Sequence, residues 1–168
     1  MPTTFEIEDV RGRLDELVDQ YRQGLRDRLD DLSEQEARAR LVPSNTTLLG
    51  LVKHVTYVER FYFDHAVTGR SLKTIGVAST PAGSFVLTKD DTIASVCAAH
   101  REACENSRRV VAGLGLDDVV SGRGPRTVWA LYLQVMRDLA HHSGHADILR
   151  EQILAARSAP RATKEASQ

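Results

Sequence analysis

The chain is poor in cysteine, with Cys97 and Cys104 the two it holds in 168 residues. They stand seven positions apart in a stretch of helical pattern, which separates their Cα atoms by roughly 10 Å. That spacing excludes a disulfide between them. Both read as buried apolar residues of a reduced compartment. Charge of one sign is also lacking: 22 lysines and arginines face 23 aspartates and glutamates, a net charge of −1. This balance gives no electrostatic case for a nucleic acid or a membrane surface as partner. There is no basic stripe and no aromatic platform on which bases could stack. No apolar run approaches the ~20 residues of a membrane span. The opening MPTTFEIEDV has neither a cationic n-region nor an apolar h-region, so no signal peptide is expected and the expected location is the cytoplasm. Internal repeats are not apparent.

The length suits one domain with a substantial core, expected over residues 1–157. The closing SAPRATKEASQ (158–168) is small and polar, and disorder is expected there. Between these limits the pattern is helical. Val10, Leu14, Leu17, Val18, Tyr21, Leu25 and Leu29 recur at the spacing of an amphipathic helix running to about Leu32, with Thr3 or Thr4 as its cap. Ser33 and Glu36 fit a capping box on a short turn. Ser44 or Asn45 can cap a second long helix whose apolar face is Leu48, Leu51, Val52, Val55, Val58 and Tyr62, with Gly69 as its stop. His54 stands at the edge of that face. Glu59, His65, His100 and Arg101 read as solvated.

Residues 70–87, RSLKTIGVASTPAGSFVL, break the rhythm. So long a connection in a compact domain is often functional; this one could cover one end of the helices or serve as a simple crossover. A third helix is expected from about Thr88 to Leu114, and Pro125 suits the first turn of a fourth. Four amphipathic helices without a strand pattern define an all-α four-helix bundle.

The fourth helix, Val128 to Ile153, concentrates the chemistry. Asp138, His142 and His145 fall on or beside its core face, while His141 lies about 100° round from it. Asp138 and His142 are spaced i, i+4 and can converge on one point. Burying such groups is costly unless they are paired or hold a metal. The pattern accommodates a site for a borderline divalent ion such as zinc or nickel. It equally accommodates a buried Asp–His hydrogen bond or a polar seam between helices. His54, from the second helix, could add a third ligand and leave positions open, as in a catalytic metal site.

The segments TTLLGLVKHVTYVERFYF (46–63) and HHSGHADILRE (141–151) resemble the DinB-like superfamily of metalloenzymes, closest to the branch related to mini-circle proteins and to the mycothiol-dependent maleylpyruvate isomerase. The resemblance implies a DinB/YfiT-like bundle of up-down-down-up type with a long crossover loop, often a homodimer, and a divalent metal on three residues. By their match to the superfamily's pattern those residues are His54, His142, which precedes Gly144 by two, and Asp138, four residues earlier. Relatives carry histidine or glutamate at the last position, so aspartate is a departure, one methylene shorter. His145 is the candidate for proton transfer. The implied activity is a thiol-dependent S-transferase or isomerase, using a low-molecular-weight thiol such as mycothiol against a small electrophile. The alternatives are hydrolysis by a metal-bound water at the same site, and a bundle that binds a metal or ligand without catalysis.

Overall fold

The computed structural model describes residues 9–158. The caps expected at Thr3 or Thr4 lie outside these residues, as does nearly all of the expected disordered tail. Helix α1, Val10–Asp27, starts instead from Asp9, whose carboxylate accepts the Gly12 amide at 2.7 Å. Its apolar row of Leu14, Val18 and Leu25 is buried. Helix α2, Glu34–Ala37, is a single turn held by the expected Ser33–Glu36 capping box.

Helix α3, Leu48–Glu59, begins later than Ser44 or Asn45 would start it. Thr47 takes an extended backbone, and its hydroxyl accepts the Gly50 amide at 3.0 Å. After Glu59 the helix widens into a π-helical segment, Arg60–His65, and closes with α4, Ala66–Thr68. Gly69 stops it in the left-handed conformation (φ 72°), where a side chain is disfavoured. An i→i+5 turn displaces every later residue from the 3.6-residue stripe. Phe63 is buried in this segment, and Tyr62, expected on the apolar face, is only half-buried.

Helix α5, Ile93–Val111, carries a capping box from Thr92 and Ser95. It starts after Thr88 because Asp91 folds back to accept the Thr88 amide and close a turn. Two short strands were not anticipated: β1, Val119–Val120, and β2, Arg126–Thr127, pair antiparallel, with Val119 opposite Thr127. Pro125 sits in this hairpin and not in a first helical turn. Helix α6, Val128–Ser158, follows directly and spans 31 residues.

The described residues are all-α apart from that hairpin. Helix α1 packs on α6, and α3 packs on both α5 and α6. One core joins them, with Leu51, Val55, Phe63, Leu131, Val135 and Leu139 at its centre. No helix among the described residues is long and apolar enough to cross a membrane.

Two expectations of solvated charge are corrected. Glu59 is fully buried, and Arg22 grips it through Nε at 2.8 Å and Nη2 at 2.6 Å. His100 is fully buried beside them, between Arg26 and Cys104. Arg22 and Arg26 of α1 reach across to these two residues, so pairing replaces hydration. Cys97 and Cys104 are free and buried, as expected.

Candidate functional site

Helix α3 presents His54 and helix α6 presents His142, and the two rings meet edge to face with centroids 4.6 Å apart. A short 3-10 helix in the long loop, Ala82–Phe85, closes over them. Phe85 stacks flat on His54 at 3.9 Å with an interplanar angle of 11°. The loop thus covers this end of the helices, as its length suggested.

The loop also fixes the His54 tautomer. Ser84 Oγ lies 2.7 Å from His54 Nδ1, and the same hydroxyl donates to the Pro81 carbonyl at 2.5 Å. A hydroxyl has one proton to give. With that proton on Pro81, His54 Nδ1–H must be the donor to Ser84, and the Nε2 lone pair is left free. Burial, and then the neighbouring His142 ring, hold His54 neutral by lowering its pKa to about 4. His142 is lowered to about 4 by burial and by His141 and His145. Its Nδ1 is buried with no hydrogen-bond partner among the described residues, and a buried nitrogen of that kind calls for an explanation.

The remaining residues stand further out. Asp138 shares with His54 the lining of a cavity of about 590 Å³. Its carboxylate accepts from Gln134 at 3.1 Å, with Arg137 at 3.8 Å. His145 is exposed; its ring is 4.5 Å from His141 and 5.6 Å from His142. This corrects its expected place beside the core. The buried row of α6 runs through Leu139, Ala146 and Ile153. His142 is about 40° from Ala146, Asp138 about 80° and His145 about 100°, which orders their exposure.

Among the described residues, no group of three or more His, Cys, Asp and Glu side chains is placed to hold a metal ion. The donor chemistry nonetheless fits a divalent ion: two neutral imidazoles in contact, one with a free nitrogen and one with an orphaned nitrogen, and a carboxylate one helical turn from His142.

Sequence reasoning missed Ser84 and Phe85, for which no periodic signal existed, and Arg123, which lies between two loop glycines and lines the same cavity.

The family-model match over residues 13–155 makes the chain a member of the DinB-like superfamily. Within that class the chain belongs to the mycothiol S-transferase family: the model described as "Mycothiol-S-transferase" matches residues 13–155. No curated protein matches the chain closely enough to count as a relative.

Proposed function

We propose that the chain is a divalent-metal-dependent S-transferase that joins mycothiol to a small electrophile, with His54, Asp138 and His142 holding the ion. The observation that carries this reading is the chain His54 Nδ1–H to Ser84 Oγ–H to Pro81 C=O. Outer hydrogen bonds of this kind orient metal-binding imidazoles and fix their tautomer. Here the free nitrogen is Nε2, on a ring beside the unpartnered His142.

A zinc- or nickel-like ion held there would supply a Lewis acid that favours the thiolate form of a bound thiol. In the transfer the sulfur lone pair forms the C–S bond, and the leaving group departs with the electrons of the bond it breaks. The thiol proton must reach solvent. We assign that passage to His145, an exposed imidazole within 5.6 Å of His142 and 4.5 Å of His141. Phe85, flat on His54, excludes water from one face of the ring and so protects the nucleophile from wasteful protonation. Asp138 would have to give up its bond from Gln134 to help hold the ion.

Elemental analysis of untagged protein tests this, with wild type beside His54→Ala and His142→Ala. About one equivalent of a divalent metal is expected in wild type and loss in both variants, together with loss of mycothiol conjugation. Wild-type protein that stays free of metal after incubation with zinc and nickel refutes the reading.

A further inference from the structure

The cavity lined by His54 and Asp138 has an uneven charge. Arg123 and Arg137 both line it, and Asp138 is its one carboxylate. Asp138 is 3.8 Å from Arg137 and is already hydrogen-bonded to Gln134. The Arg123 guanidinium pairs with no carboxylate among the described residues; it lies over the Phe61 ring at 4.2 Å. Formal charges therefore leave one guanidinium in surplus, and its planar fork suits a carboxylate.

Arg123 is also held in place by its backbone. The preceding Gly122 donates its amide to the Ala66 carbonyl at 3.0 Å. A Cβ on Gly122 would lie 2.5 Å from the His65 carbonyl oxygen and 2.7 Å from that of Ala66. Only glycine allows so close an approach. The hairpin loop is thus pinned against the end of α4, directly beside the π-helical residues Phe61, Tyr62 and His65 that line the cavity. Tyr57 stacks on Phe61 at 5.2 Å and extends the aromatic wall toward His54. The two rings give the cavity an apolar wall, and the volume suits a small ligand.

We infer that the electrophile is a planar carboxylic acid, its carboxylate read by Arg123 and Arg137 and its unsaturated or aromatic body lying along Tyr57 and Phe61. This deepens the transferase reading and rests on it for the word electrophile, but the recognition can be measured with no thiol and no turnover.

The test is calorimetric titration of the untagged full chain with 4-methylbenzoate and with its uncharged counterpart 4-methylbenzamide, neither of which reacts with thiols. Metal content is measured on the same samples, and each titration is repeated after chelator treatment. The carboxylate is expected to bind at least 10-fold more tightly than the amide. That preference is expected to collapse in Arg123→Gln and in Arg137→Gln at unchanged metal content, and to survive in chelated wild type. Equal binding of the two probes, or no binding of either, overturns the inference. So does a preference that persists in both arginine variants, or one that vanishes on chelation, since the carboxylate would then be bound by the ion. Failure of the transferase reading shows separately, as absent metal or absent conjugation, and leaves the charge preference measurable.

Discussion

Replacing Arg22 with methionine leaves Glu59 buried at zero exposure without the two charge-assisted bonds, 2.8 and 2.6 Å, that now satisfy it. Burial alone pushes this carboxyl up, but the Arg22 guanidinium overrides it and holds Glu59 below its ordinary value of 4.5. Without the guanidinium, the group's cheapest escape is to take up a proton. At pH 7, protonating a carboxyl whose unfolded value is 4.5 costs about 3.4 kcal/mol, from 1.36 kcal/mol per pH unit. That falls inside the roughly 3–5 kcal/mol expected for breaking a buried pair. The sign of the pH dependence follows. In the variant the folded-state pKa of Glu59 is raised above the unfolded one, so folding takes up a proton, and stability returns as pH falls toward 4.5. The difference between wild type and Arg22→Met should shrink by about 1.4 kcal/mol per pH unit, from about 3.4 at pH 7 to about 0.7 at pH 5. Urea unfolding of both proteins at pH 5, 6 and 7 reads this directly. The double replacement Arg22→Met with Glu59→Leu removes both charges and should lie within about 1 kcal/mol of wild type at every pH. A penalty below about 1 kcal/mol at pH 7, or one that does not change with pH, would refute the assignment of this pair as the charged centre of the core.

Ser84→Ala removes the acceptor that fixes the His54 tautomer at 2.7 Å; zinc affinity in a competition titration should fall about 10–100-fold with the helical circular dichroism unchanged, and an unaltered affinity would show that the hydroxyl does not orient the ring. His100, fully buried, is lowered to about 4, chiefly by burial. It stays neutral in the folded chain while its unfolded counterpart protonates near 6.5, so its contribution is complete above that pH and is lost as pH falls toward about 4. In wild type this amounts to up to about 2 kcal/mol between pH 6.5 and 5. His100→Gln should lower the pH slope of stability over that window by about one proton, and an equal slope in both proteins would remove His100 as its source.

The helices were legible because burial imposes period. Leu14, Val18 and Leu25, or Leu131, Val135 and Leu139, announce their faces at the spacing of the helix. His54 and His142 were legible as a pair for the same reason, since each lies at the margin of such a face and margins of packed helices meet. What escaped is what periodicity cannot encode. Arg22 and Glu59 lie 37 positions apart, and a charge on a helix face reads as solvated until the neighbour that covers it is known. Ser84, Phe85 and Arg123 sit in aperiodic segments whose course depends on a tight turn at Pro81 and on a glycine contact at Gly122.

The π-helical segment joins the legible part to the illegible one. Glu59, the last residue of α3 proper, is anchored by Arg22, and the chain widens at the next residue. Had α3 continued at 3.6 residues per turn, Tyr62 would lie about 40° from Val58 and Phe63 about 40° from Glu59, so the two rings would share the buried side. Instead Phe63 is buried, and Phe61, Tyr62 and His65 line the cavity beside His54. The widened turns thus carry three residues of the cavity wall, and π-helical insertions recur at functional sites. The buried ion pair gives that departure a fixed starting point. Its loss should therefore be felt in the cavity as well as in stability, whereas replacement of both charges by packed apolar side chains holds the helix end and leaves the wall in place.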